Sequence, residues 1–160
     1  MPNNFISQEG SCSVVKATKE HALHIANNIR KIDELEVACI GATPINALLG
    51  GLKNDYTTLT ALTPEDEPMA MFGVGEVGEQ AYIWCLGTPK VVTNGRQFLK
   101  SSRKWVKQLT KPYGVTFNYI HEDNKVALKW LKYCGAVFIK KLTINSHPFL
   151  EFVIPIERIK

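Results

Sequence analysis

The spacing of apolar residues changes period several times along the chain, and each change marks an element. Ser13-Val14-Val15-Lys16-Ala17 alternates and predicts a short strand. Thr18 then reads as the N-cap of a helix from Lys19 to about Ile32, with Ala22, Leu23, Ile25, Ala26 and Ile29 at helical spacing. A second helical stretch runs from Asp33 to Ile40 and resumes after Pro44 through Leu49, where Gly50-Gly51 predicts its end. Thr57 to Leu62 is β-branched and alternating, and Thr63 to Pro68 has the composition of a turn. Met69–Val77 and Gln80–Leu86 read as two strands of a hairpin joined at Gly78-Glu79. Helical spacing returns from Asn94 to about Lys111, closed by Pro112 and Gly114. A strand at Val115–Ile120, a helix at Asn124–Tyr133 ended by Gly135, and strands at Val137–Ile144 and Phe149–Ile156 complete the order. About seven strands and about four helices, interleaved, predict an α/β fold with helices covering a mixed central sheet. The 160 residues, with neither repeats nor long linkers, predict one domain over 1–160.

Composition narrows the class. Hydrophobic residues make up 45% and charged residues 21%, too apolar for a disordered chain. Cys12, Cys39, Cys85 and Cys134 are scattered, with no CxxC pair or Cys/His cluster, so neither a structural zinc site nor a disulfide framework is expected. The opening residues show no basic stretch followed by an apolar core, so no signal peptide is expected, and the chain reads as one that is not secreted. The longest uncharged run, Val37 to Leu52, is 16 residues and is broken by Pro44, Asn46 and three glycines, which is short for a membrane span. The net charge of +4 conceals a division. Residues 1–88 hold 5 Lys/Arg against 11 Asp/Glu, whereas residues 89–160 hold 14 against 4.

Several motifs carry chemistry in other settings. Gly73-Val74-Gly75-Glu76-Val77-Gly78 spells the dinucleotide fingerprint G-x-G-x-x-G, but that motif needs a helix N-terminus after it, and here strand pattern continues. A hairpin softened by glycine, with a bulge, is expected instead. Lys100, Arg103, Lys104, Lys107 and Lys111 share one helical face. That row suits a solvated surface, a small phosphorylated ligand or nucleic acid. No aromatic residues interleave with it and no reader motif is present, so nucleic acid is not expected as the main partner. His21 and His24 lack further ligands at metal spacing, and His121 and His147 stand alone, so no metal site is expected. No G-x-S-x-G elbow occurs, and Cys85 and Cys134 read as core residues.

The segment from Asn118 to Phe138 is the most informative. A strand feeds Asn124, which opens a helix; Ala127 follows three residues later, and Gly135 returns the chain to the next strand. This pattern resembles the closing motif of the GNAT superfamily of acetyl-CoA-dependent N-acetyltransferases, and the order of elements matches that fold over essentially the whole chain. Within the superfamily, Trp130-Leu131-Lys132 and Gly135-Ala136-Val137-Phe138 look most like the GNAT-like internal virion proteins of short-tailed bacteriophages.

The resemblance implies a single GNAT-like domain in which the strand before the long helix splays from its neighbour. Coenzyme A would lie in the gap, its diphosphate on the amides of the helix N-terminus. The family's R-G-x-G-x-G/A stretch falls on Val92-Thr93-Asn94-Gly95-Arg96-Gln97 and keeps only Gly95. The coenzyme contacts it implies are Trp84 and Leu86, from the strand carrying the oxyanion N–H, then Thr93, Asn94, Gly95, Arg96, Gln97, Asn124 and Ala127. Glu76 is the candidate general base, since an amine must lose a proton before attacking a thioester; Glu79 reads as a turn residue. The tyrosine that many members place seven residues after the opening Asn is here Leu131, and Tyr133 sits about 200° further around the helix.

Two expectations from different classes follow. One is an N-acetyltransferase, an acyltransferase moving an acetyl group from acetyl-CoA to an amine of a small molecule or protein. The other is a catalytically degenerate GNAT-fold protein acting as a phage virion or host-interaction component. Either implies the bacterial host cytoplasm or the virion.

Overall fold

Successive side chains on the central strands feed two separate cores, one on each face of a single sheet. The computed structural model describes residues 5–9, 12–54 and 57–160. Among them the strands are β1 (Phe5–Glu9), β2 (Cys12–Lys16), β3 (Thr57–Leu62), β4 (Pro68–Val77), β5 (Gln80–Gly87), β6 (Val115–His121), β7 (Val137–Ile144) and β8 (His147–Pro155). The helices are α1 (Lys19–Asn27), α2 (Lys31–Cys39), α3 (Pro44–Asn54), α4 (Lys90–Thr93), α5 (Gly95–Thr110) and α6 (Lys125–Tyr133), and a short 3₁₀ turn covers Ile156–Arg158. The sheet has eight strands in the order β1-β2-β3-β4-β5-β6-β8-β7. Every neighbouring pair is antiparallel except β5 and β6.

Phe72, Val74, Ala81 and Ile83 face α5 and α6 and pack with Trp105, Leu109, Ala127 and Leu131. Met71, with Trp84 and Leu86 partly buried beside it, turns to the other face and meets Ala22 and Ile25 of α1 and Leu48 of α3. The α/β class therefore stands, with one strand and two helices beyond the expected number. The added strand is β1, which pairs with β2. The added helices come from a division of the second helical stretch into α2 and α3 and from α4, a single turn before α5.

Three local expectations are corrected. The first helix stops at Asn27 instead of Ile32, because Asn28 turns its side chain back onto the His24 carbonyl (2.8 Å) and competes with the helix. The glycine pair does not end α3, which runs on to Asn54. Ile45, Leu48, Leu49 and Leu52 form one stripe packed in the second core, and burying Leu52 outweighs the roughly 1 kcal/mol that each helical glycine costs. The β4–β5 hairpin is paired without a bulge from Ala70↔Gly87 to Val77↔Gln80; the irregularity lies between Ala61 and Leu62 of β3. Gly73 has a different reason to be glycine, since a Cβ there would collide with the carbonyl oxygen of Thr57 on β3. Gly78 supplies the positive φ (60°) of the hairpin turn.

Candidate functional site

The parallel pair β5–β6 is joined at one register position, Tyr82↔Phe117. One residue on, Asn118 Nδ2 donates to the Ile83 carbonyl (2.7 Å), a side chain taking the place of the next ladder bond. Beyond it the strands part, leaving a wedge between the ends of β5 (Cys85–Gly87) and β6 (Tyr119–His121). A cavity of about 790 Å³ runs through this wedge. On one side it meets Val37 and Gly50 of α2 and α3, and on the other Phe98, Trp105, Ala127 and Trp130 of α5 and α6. Its walls are mainly apolar. The indole N–H groups of Trp105 and Trp130 are buried and have no acceptor among the described residues.

A polar cluster spans the wedge at the strand ends. The Arg30 backbone N–H donates to the Gly87 carbonyl (2.9 Å), and the Gly87 N–H donates to Asp33 Oδ2 (2.9 Å), so both backbone groups of the last β5 residue are taken by the start of α2. On the β6 side, Glu36 Oε1 accepts from Asn124 Nδ2 (2.7 Å) and from the His121 N–H (3.4 Å). Arg30 lies between the two arms, with Nη2 donating to Asn124 Oδ1 (3.0 Å) and Nη1 3.6 Å from Asp33 Oδ1. Asn124 is the hub. It is 2% exposed, its Oδ1 also accepts from the Ala127 N–H (3.3 Å) as the cap of α6, and its Nδ2 lies 3.4 Å from Asp33 Oδ1.

Burial dominates the electrostatics here. Desolvation pushes the Glu36 carboxyl up to about 7, with the nearby Asp33 charge acting in the same direction and its hydrogen bonds opposing. Asp33 is also raised by burial, held back by Arg30 and the Gly87 N–H. Below β6, the buried His121 ring accepts from the Asp123 N–H at Nδ1 (3.0 Å), which puts its proton on Nε2, 3.2 Å from His147 Nδ1.

The residues expected from sequence are dispersed around this cluster. Asn124 and Ala127 lie in the wedge. Trp84 and Leu86 face the α1–α3 side and are half-buried. Gly95 borders the cavity, and a Cβ there would meet nothing within 4 Å. Thr93 and Arg96 are exposed, and the hydroxyl of Thr93 and the amide of Asn94 both bond the Lys90 carbonyl within the α4 turn. Gln97 reaches β2, where its Oε1 accepts from Cys12 Sγ (3.1 Å). Glu76 is exposed near the hairpin turn and accepts from the Tyr113 hydroxyl (2.9 Å). It lies on the paired side of Tyr82, away from the opening of the wedge. Leu131 is buried in the first core, and Tyr133 carries the Arg103 guanidinium over its ring at 3.6 Å. Cys134 is buried against the Ser102 hydroxyl (3.7 Å), its thiol pushed up to about 11 by desolvation.

Sequence marks neither Arg30, Asp33 nor Glu36, and it reads His121 and His147 as isolated, whereas their rings meet at 3.2 Å. The spacing of Asp33 and Glu36 puts them on one face of α2, yet weak amphipathicity in that helix does not tell which face is buried. Nothing in the chain marks a pair of acids for the interior.

Solved structures with the same architecture include bacterial acetyltransferases. A GNAT-family acetyltransferase from Bacillus anthracis superposes with a TM-score of 0.71 at 12% identity, covering 96% of this chain and 99% of that one. The ribosomal-protein-S5-alanine acetyltransferase of Vibrio fischeri gives 0.66 at 13% identity, covering 98% of each. The spermidine N-acetyltransferase of Vibrio cholerae, solved with CoA and spermine, gives 0.64 at 12%, covering 94% and 99%. At these identities the likeness establishes the GNAT fold. No curated protein sequence matches the chain. The family model described as "Bacteriophage T7, probable scaffold protein Gp13" matches residues 63–143, from the turn before β4 through most of β7.

Proposed function

Since the chain belongs to the family described as "Bacteriophage T7, probable scaffold protein Gp13", we propose that its GNAT fold serves phage particle assembly, as a virion or host-interaction component that does not turn over acetyl-CoA. The observation that carries this reading is the Arg30–Asp33–Glu36–Asn124 cluster. The resemblance would set a coenzyme against the β5 backbone near Trp84 to Leu86, one residue before Gly87, and against Asn124. Here Gly87 is bonded on both sides by Arg30 and Asp33, and all the hydrogen-bonding capacity of Asn124 is committed to protein groups.

The donor set does not fit coenzyme A. Asp33 and Glu36 line the wedge and supply no positive charge to a polyanionic ligand. The one guanidinium among them is bonded to Asn124 and paired with Asp33. At the start of α5, Thr93 and Gln97 replace small residues of the phosphate cradle and are engaged within the protein. Leu131 offers no proton where the family has a tyrosine, and Glu76 is far along β4 from the opening.

A second reading, N-acetyl transfer from acetyl-CoA to an amine, is favoured by one observation. The cavity of about 790 Å³ persists through the wedge, with two buried indole N–H groups lacking acceptors among the described residues. Calorimetric titration with acetyl-CoA and desulfo-CoA separates the two. The assembly reading expects no heat of binding at millimolar ligand. Saturable binding accompanied by acetylation of an amine panel would establish the transferase in its place.

A further inference from the structure

We infer that the outward faces of α5 and α6 form one docking surface for the phosphate backbone of double-stranded nucleic acid, gripped without reading its sequence. Five cations of α5 (Arg96, Lys100, Arg103, Lys104 and Lys107) and Lys111, its C-cap, fall within a ~100° arc of that helix at ~100° per residue. Lys125, Lys129 and Lys132 occupy a similarly narrow arc of α6. All are exposed except Arg103, which is half-buried over Tyr133. The two helices are neighbours on the same face of the sheet: Arg103 Nε donates to the Tyr133 carbonyl (2.8 Å), and the Phe98 and Trp130 rings pack at 5.2 Å. The rows therefore lie side by side.

Neither helix contains an acidic residue. In the turn before α6, Glu122 is engaged by Lys141 at 3.1 Å and Asp123 is exposed. A merely solvated helix gains stability from i,i+4 pairs of opposite charge, and a run of like charges loses by the same amount. Eight cations on two adjacent helices, with Lys111 at the end of one and no acid in either helix, form a cationic face complementary to a polyanion.

The exposed arcs favour a duplex over other polyanions. Protein interfaces depend on buried aromatic or aliphatic anchors, and interfacial membrane helices insert Trp, Phe or Leu; the basic arc of α5 contains none of these. Single strands call for aromatic stacking, which the row lacks, but a duplex gripped by its phosphates does not. Lysines recurring every three or four residues place a charge every ~5–6 Å over a helix ~24 Å long, a length that meets several phosphates of one groove edge.

The test is fluorescence anisotropy of a 30-base-pair DNA duplex with the full chain between 50 and 200 mM salt. We expect a log–log salt slope of about −5, from five to six phosphate contacts. Lys100→Glu, Lys104→Glu and Lys107→Glu together should weaken binding at least ~100-fold, while the matched reversal Lys19→Glu, Lys31→Glu and Lys53→Glu, on α1, α2 and α3, should change it less than ~3-fold. If the α5 variant fails to fold, Lys100→Gln, Lys104→Gln and Lys107→Gln should weaken binding ~10-fold or more and flatten the slope by about 3. Equal loss in both reversal sets, absence of duplex binding at 50 mM salt, or equally tight binding of poly-glutamate or of 7:3 phosphatidylcholine:phosphatidylserine vesicles would overturn the assignment.

Discussion

Asn124 Nδ2 and Glu36 Oε1 lie 2.7 Å apart, a hydrogen bond between residues 88 positions apart in the chain that ties α2 to the cap of α6 across the open end of the wedge. Because the same Asn124 side chain caps α6 and accepts from Arg30 at the start of α2, both helices depend on one amide. Its removal leaves the two carboxylates and the guanidinium short of partners in a buried place, and that imbalance is the source of most expected effects.

Asn124→Ala removes the α6 cap together with a donor to Glu36 and an acceptor for Arg30. Loss of a cap costs about 1 kcal/mol and each of the two charged groups left short of a bond another 1–3, so a destabilisation of at least roughly 3 kcal/mol is expected. Urea unfolding of the variant beside the parent measures it. A change under about 1 kcal/mol would mean the cluster is not formed in solution.

Glu36 should make the protein less stable as pH rises. Its folded carboxyl titrates at about 7 against the usual 4.5, so between those values the native state holds a proton that the unfolded state releases. The contribution is therefore fully present below about 4.5 and is lost as pH climbs through about 7. Glu36→Gln keeps an acceptor for Asn124 and the His121 N–H without the charge, and should gain about 2 kcal/mol at pH 8 while changing little at pH 4.5. Unfolding midpoints at the two pH values read the difference; an equal effect at both would remove the titration as its cause.

Leu131→Tyr places a phenol where the wider fold often has one. Leu131 is buried against the core that α6 shares with the sheet, so the larger ring overpacks it. We expect a loss of 1–3 kcal/mol and no acetyl transfer from acetyl-CoA in a thiol-release assay. Measurable turnover would count against the assembly reading.

Two glycines should respond oppositely to alanine. Gly50, inside α3, has open space where a Cβ would go, and Gly50→Ala should stabilise by about 0.5–1 kcal/mol. Gly73→Ala drives a methyl into the Thr57 carbonyl and forces β3 and β4 apart, with an expected cost of about 2 kcal/mol or more. Thermal melts of both proteins check the pair.

These residues also mark what a reader of the chain can and cannot see. Strands Thr57–Leu62 and Val137–Ile144 are legible to the residue because alternation over six to eight positions admits one interpretation. The end of α1 is not, since Ile29 keeps helical spacing while the Asn28 side chain breaks the helix from outside that pattern. For the same reason α3 passes through two glycines: Leu52 gains burial from a partner helix that local propensity does not contain. The site divides in the same way. Asn124 is visible as a cap with Ala127 three residues on, a local signature. Asp33 and Glu36 are invisible, because their partners Gly87, His121 and Asn124 are brought to them only by the way β5 and β6 separate.

The lone Tyr82↔Phe117 bridge has a mechanical consequence. Strands β1 to β5 form one continuous ladder and β6, β8 and β7 another, each held by long runs of backbone pairs. Across the seam the polar ties are that bridge, the Asn118 bond and the Arg30–Asp33–Glu36–Asn124 cluster, above the core that α5 and α6 share with both ladders. Under tension the protein would tear there first, into a five-stranded and a three-stranded piece, long before either ladder unzipped.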